Sequence, residues 1–439
     1  MLSRRSAPTE TQPTDEAPGG SPDRWWWGLA AFGAVAVVLW AVAALSVAFL
    51  PWSEHLRLHY FPGQPWFEAW VQWDAGWYRE IANHGYSYVP GHQSPVAYFP
   101  AYPMLMRAGG AVLGSTLVAG ILVTLAAGAA LAAMVWTWFR ERLPRPAAVT
   151  ALALLLLYPY AFYLYGAVYA DALFIAATLG AFLLLEADHL WLAGMAGAVA
   201  TAARPVGLVV VGGLVARALE RRGVFPRGRP AGGVRTGSHS GWSPGAAVVP
   251  AGDDDEVVLG AAGGGRRPLV DLRRVQGRDA AVLVSAAGLV AYCLYLAARF
   301  GHPFLFAEVE KYWGQGAGPH TWLKIEFLHM VTHLGRPTAW LTYVAHPVVT
   351  VVALAFVPRV FRRFGWGYGL YSLAAVGVAA LSTKDFFGCG RYVLAAFPCF
   401  AAAAEVLVEH PRLRTWVLSG SAAGLVVMTS LFARGTYLS

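Results

Sequence analysis

The chain has 439 residues, of which 57% are hydrophobic and 13% charged, with a formal net charge of +8 and a mean hydropathy of +0.48. Soluble domains carry about 25% charged residues, so an ordinary soluble domain is excluded. A transmembrane β-barrel is excluded too, because its strands would read as short alternating segments and not as long apolar runs. The positive charge is expected to follow membrane topology, with arginine gathered in cytoplasmic loops, and no nucleic-acid partner is expected. Cys293, Cys389 and Cys399 are scattered, without CxxC or a His/Cys pattern of zinc type, so neither a disulfide framework nor a structural zinc site is expected.

In chain order, residues 1–24 are polar and rich in Pro, Ser and Thr, which reads as a disordered cytoplasmic tail. An N-terminal transmembrane module is expected over 25–216. It opens with an apolar run, Trp25–Leu50, that lacks the small-residue cleavage pattern of a signal peptide and reads as an anchor. Residues 51–107 then form a large outer loop, with an amphipathic stretch Trp66–Ile81 suited to the interface. Further spans are expected over Gly114–Phe139, Ala147–Tyr165 and Ala170–Leu185, with Pro159 and its aromatic neighbours breaking the outer end of the second of these.

The stretch Trp191–Ala216 is one span or two short helices hinged at Arg204-Pro205. Loop 217–278 carries eleven arginines against six acidic residues, and this charge bias favours the hairpin with the loop inside. The loop lacks apolar periodicity and reads as mostly disordered and cytoplasmic. A C-terminal transmembrane module follows over 279–439, with an outer segment 299–336 and a short outer loop Ser382–Gly390. The sum is an all-α polytopic membrane protein with about eleven spans.

The unusual residues gather on the predicted outer face. Asp74 sits among tryptophans and tyrosines in WFEAWVQWDAGWYREIANHGYSYVPGHQSPVAYFPAYP, residues 66–103. Asp171 opens a span, Arg204 sits at the hinge, and Lys384 and Arg391 flank the last outer loop. Glu308, Glu310 and Lys311 lie in the later outer segment. A sugar on a lipid phosphate already carries a good leaving group. Its transfer needs one base to take a proton from the acceptor hydroxyl, and cations to hold the phosphate. The arginine fork suits that phosphate, and aromatic rings pack against sugar faces. Asp74 would then be the base. Arg391, Arg204 and Lys384 would hold the donor phosphate. Asp171, Trp73, Trp77, Tyr98, Tyr102 and His84 would contact substrate. A competing local reading makes Asp74 only the N-cap of a helix starting near Ala75. His55, His59, His84 and His92 lack ligand spacing, so no metal ligand is assigned. A divalent ion is compatible with a carboxylate beside a phosphate, but no cofactor is required.

Trp73-Asp74, Ile81-Ala82, Gly85-Tyr86 and Ala97-Tyr98-Phe99-Pro100-Ala101-Tyr102-Pro103 resemble the WD…IA..GY…AFFPLYP pattern of the PIG-V family. YPYAFYLYGAVYADALF is similar to that family's proline–aromatic stretch, with Asp171 where Glu is usual, and Ala203-Arg204-Pro205-Val206-Gly207 to its A-R-x-x-G. Gly301-His302-Pro303-Phe304, Arg391-Tyr392 and Phe397-Pro398 echo its later motifs. The resemblance implies a GT-C glycosyltransferase with a catalytic acid in the first outer loop, which falls on Asp74. It also implies a polyprenyl-phosphate sugar donor, most simply mannose. The expected acceptor is a hydroxyl of a glycolipid, glycan or protein, and the expected location is a bacterial plasma membrane with the site outside. A GT-C transferase of arabinose or glucose, a lipid or solute transporter, and a non-catalytic membrane subunit are the alternatives.

Overall fold

The computed structural model describes residues 25–52, 59–224, 272–314, 318–332 and 337–438. The expected tail 1–24, His55 and most of loop 217–278 lie outside the described residues. The described residues form helices and no strand. The principal helices are α1 (Trp26–Phe49), α2 (Ala75–His84), α3 (Ala101–Leu113), α4 (Thr116–Arg142), α5 (Arg145–Leu156), α6 (Asp171–Glu186), α7 (Leu190–Ala203) and α8 (Leu208–Arg221). After residue 272 come α9 (Ala287–Phe300), α10 (Pro337–Phe364), α11 (Trp366–Ser382), α12 (Cys389–Ala395), α13 (Phe397–Glu409) and α14 (Pro411–Ala433).

Five described helical stretches are long and apolar enough to cross a bilayer: Trp26–Phe49, Thr116–Arg142, Gly277–Phe300, Val344–Phe364 and Pro411–Ala433. The pair α12 and α13, bent by 79°, makes a sixth if taken as one broken span. Arg145–Leu156, Leu190–Ala203 and Trp366–Ser382 are shorter apolar helices. The described helices thus do not divide into the expected eleven full spans, because several are cut short.

The physical reason is plain at the third expected span. Its helix stops at Leu156, and Tyr158–Ala170 continues as turns and a short 3-10 piece. Pro159 has no N–H to give the ladder. Irregular backbone inside a membrane protein must be covered by protein, and here it is. Tyr158, Tyr160, Phe162, Tyr163, Tyr165 and Tyr169 are all buried. Tyr165 Oη donates to the freed Leu156 carbonyl at 3.0 Å. Trp40 Nε1 donates to Tyr165 O at 2.6 Å, and Val168 N to Trp70 O at 3.1 Å.

At Arg204-Pro205 the chain turns back on itself. Arg221, ending α8, lies 3.7 Å from Asp188, which precedes α7. Residues 190–221 therefore form a hairpin, the second of the two readings open from sequence. Its base is tied to the next helical stretch by Arg222 and Asp279, 2.8 Å apart. The helix α6 runs between two poles about 24 Å apart, at 1.5 Å per residue. Asp171 stands at one pole. At the other, Glu186 takes hydrogen bonds from Arg217 at 2.9 Å and Tyr368 Oη at 2.8 Å, and pairs with Arg142.

Residues 59–100 pack as a layer over the Asp171 pole. Trp66–Ile81 is not one interfacial helix. A short turn of helix ends at Glu68, the chain reverses through Trp73, and α2 begins at Ala75. Trp66 is exposed, whereas Trp70 is fully buried against Trp40 at 5.6 Å. Glu68 is buried too, its carboxylate accepting from Phe61 N at 2.6 Å.

Candidate active site

Trp73 has a φ of 53°, a left-handed conformation that non-glycine residues adopt at a cost of about 1–3 kcal/mol. This kink points Asp74 inward. The Asp74 carboxylate makes no N-cap hydrogen bond to α2, so the capping role expected as an alternative is not the one it plays. Oδ1 instead accepts from Tyr98 Oη at 3.1 Å, and Oδ2 from Arg391 Nη1 at 3.4 Å. Its backbone N–H donates to Tyr169 Oη at 3.3 Å. Burial pushes the Asp74 carboxyl above the usual carboxylate range, against the pull of Arg391 and Tyr98. Burial and the Asp74 charge hold the Tyr98 hydroxyl protonated, so it stays a donor.

Arg391 comes from the far end of the chain, on α12. Its guanidinium lies over the rings of Tyr163 and Tyr169, at 5.3 and 5.4 Å. The preceding peptide is pinned on both sides: Gly390 N donates to His346 Nδ1 at 3.1 Å, and Gly390 O accepts from Tyr158 Oη at 3.1 Å. A Cβ at Gly390 would strike the Tyr160 ring. The broken aromatic segment thus fixes where Arg391 stands. Arg391 Nη1 also reaches Asp171 at 3.9 Å, while its Nε is buried without a hydrogen-bond partner among the described residues.

Asp171 pairs with Arg204, whose Nη2 donates to Tyr392 Oη at 3.1 Å. Only 4% of the Asp171 side chain is exposed, and it does not line the cavity. Asp171, expected to contact substrate, stands behind the cavity wall, paired with Arg204 and 3.9 Å from Arg391. Its position at the first turn of α6 adds a favourable helix-dipole contribution.

The cavity beside Asp74 measures about 1070 Å³. Asp74, Arg204, Lys384, Arg391, Trp73, Trp77 and Tyr98, all among the residues singled out in the sequence, line it. Trp77 stacks on Tyr98 at 6.0 Å with planes 18° apart. Besides Asp171, two expected residues do not line it. Tyr102 is fully buried below, its Oη 2.9 Å from Gly120 O and 2.8 Å from Thr124 Oγ1. His84 is 66% exposed and pairs with Glu80 at 3.1 Å on the outer side of α2. Tyr102 is core because an apolar face of the loop must bury something against α4; His84 ends an exposed helix face.

Sequence reasoning passed over three further lining residues. Glu310, noted only as one acid of the later outer segment, faces the cavity, and burial with the Asp74 charge pushes its carboxyl up to about 7. Tyr392 stacks under Arg204 with 4.7 Å from guanidinium to ring. Tyr437 reaches back past α14 to pack on Trp73 at 4.6 Å and Phe387 at 5.1 Å. Gly435, with φ of 79°, makes that return possible. The signal for Tyr437 was weak: one aromatic beyond the last apolar run. Among the described residues no group of three His, Cys, Asp or Glu side chains is arranged to hold a metal ion.

Neither a family model nor a curated protein matches this chain. Three solved chains of the Archaeoglobus fulgidus oligosaccharyltransferase resemble it in structure. The archaeal oligosaccharyltransferase AglB in complex with an inhibitory peptide and a dolichol-phosphate is 13% identical, with a TM-score of 0.44, over 94% of this chain and 57% of that one. The apo form is 12% identical over 94% and 56%, and the complex with Zn and sulfate 14% identical over 92% and 53%, both with a TM-score of 0.44. The chain spans little more than half the length of these enzymes.

Proposed function

We propose that this protein is an inverting glycosyltransferase of GT-C type that moves a sugar, mannose first among the candidates, from a polyprenyl-phosphate donor to an acceptor hydroxyl. The observation that carries this reading is Asp74 on the cavity wall, fixed by Tyr98 and facing Arg391 in the same cavity. Asp74 takes the proton of the acceptor hydroxyl. That oxygen attacks the anomeric carbon from the face opposite the phosphate, and the carbon–phosphate oxygen bond breaks with its electron pair leaving on the phosphate. No leaving-group protonation is needed, so a second catalytic acid is dispensable, unlike in glycoside hydrolysis.

Asp74 and Asp171 pair with Arg204 and Arg391 inside the cluster, and Arg79, Lys384, Glu80, Glu310 and Asp385 also line the cavity. A lipid phosphodiester brings one negative charge. Arg391 on the cavity wall is the arm that receives the phosphate, its planar guanidinium matched to two phosphate oxygens. Trp73, Trp77 and Tyr437 supply ring faces for the sugar. A transporter would place its charges deep along alternating routes, whereas this cluster closes on one cavity at one pole.

The test is transfer from polyprenyl-phosphate mannose, arabinose and glucose by purified protein in lipid. Transfer from one of them, abolished by Asp74→Asn in a folded protein, is the expected result. Near-normal turnover by that variant would remove Asp74 as the base. Absence of transfer with all three donors would remove the reading.

A further inference from the structure

At the pole opposite Asp74 lies a second groove, of about 510 Å³, between the first turns of α5 and α14. Arg145 and Arg414 face it, Val149, Ala153 and Leu418 give it an apolar wall, and no carboxylate lines it. Arg142, Arg217, Arg222, Arg359 and Arg363 each pair with a carboxylate. The guanidinium groups of Arg145 and Arg414 have no such partner among the described residues. Arg145 is exposed and Arg414 half-buried, so both guanidinium groups are open to an anion seated in the groove. The apolar wall says what kind of anion. A free phosphate has no use for Val149 and Leu418, but a phospholipid places acyl carbons directly below its phosphate. The neighbouring side chains fit a headgroup depth: Trp416 is 78% exposed and Leu413 50%, and tryptophan favours the bilayer interface.

We propose that this groove is a binding site for one anionic phospholipid, with the phosphate between Arg145 and Arg414 and the first acyl carbons along Val149, Ala153 and Leu418. The proposal is independent of the reaction assigned to the Asp74 cavity. Each arginine near an anionic lipid surface contributes roughly fivefold in affinity, so the pair accounts for about 30-fold.

The experiment uses the full chain in detergent and counts bound lipid by native mass spectrometry against added dioleoyl phosphatidylglycerol. The controls are dioleoyl phosphatidylcholine and inorganic phosphate. The wild-type chain is expected to retain one phosphatidylglycerol preferentially, and Arg145→Gln with Arg414→Gln to weaken it about 30-fold. Ser419→Trp, which fills the groove and keeps both charges, is expected to lose the lipid as well. Arg362→Gln removes an exposed arginine of the same pole outside the groove and is expected to change nothing. Equal retention of phosphatidylcholine, saturation by inorganic phosphate at comparable concentration, an equal loss in Arg362→Gln, or unchanged binding in the double variant would each overturn the site.

Discussion

Asp74 and Asp171 carry the same charge in different surroundings, and the surroundings divide their work. Asp74 lies 17% exposed at the cavity, with one oxygen on a neutral hydroxyl and the other on a long contact to Arg391. It keeps the capacity to accept a proton. Asp171 is closed off beneath two arginines and positions them. Asp74→Asn is expected to lower turnover about 100- to 10,000-fold, the range for a positioned base, while leaving donor binding intact. Asp171→Asn is expected to raise the KM for the donor, because Arg204 and Arg391 lose their anchor. A fluorescence titration with donor against a turnover assay separates the two effects. Glu310 makes a prediction about pH. Its carboxyl is pushed from 4.5 to about 7, so the folded protein holds its proton where the unfolded chain has released it. The stability this contributes is complete below pH 4.5 and is lost as pH rises through about 7. Full burial would make the loss roughly 3 kcal/mol, and solvent in the cavity reduces it. Glu310→Gln is expected to melt increasingly above the wild type from pH 5 to pH 8; parallel melting curves across that range would exclude it.

At the scale of elements, the interruptions build the site. The break after Leu156 lets six aromatic rings fill the centre of the bundle, and two of them form the surface on which Arg391 rests. Gly390 is one tight point, because any side chain there meets Tyr160. Gly390→Ala is expected to lower stability by about 1–3 kcal/mol through overpacking and to reduce turnover more than the stability loss explains, since Arg391 is the next residue. Equal turnover per folded molecule would show that Arg391 tolerates the shift. The return of the chain after Gly435 is a second such device. Tyr437→Ala is expected to weaken donor binding several-fold through the lost ring face, with Tyr437→Phe restoring it. Equal KM values in all three proteins would remove Tyr437 from the sugar subsite.

At the scale of the whole molecule, charge is sorted to the two ends of the bundle. One end holds the Asp74 cluster. The other holds Glu186 with Arg142, Arg217 and Tyr368, and Glu405 with Arg359 and Arg363. Removing one partner of a buried pair costs about 3–5 kcal/mol. Glu186→Ala is therefore expected to lower the melting temperature by several degrees, while the turnover of the folded fraction stays within about twofold, because the site lies about 24 Å away along α6. A large fall in turnover with unchanged melting would mean that the two poles communicate.

The amino-acid sequence by itself determined the membrane class and the helical architecture and singled out Asp74 as a candidate, since long apolar runs and a carboxylate among aromatics are local signals. Arg204-Pro205 was likewise legible as a break, because proline stops a helix wherever it falls. The tertiary structure alone decided what faced Asp74. Arg391 is 317 residues away in the chain, Tyr437 lies beyond the last span, and no spacing rule connects either to a loop near the N-terminus. It also placed Tyr102 and His84 away from the cavity wall, because the direction of a side chain depends on what its segment packs against. The local pattern at Asp74 fitted a helix cap equally well; only the fold, by bringing Tyr98 and Arg391 to its two oxygens, gave the carboxylate another partner.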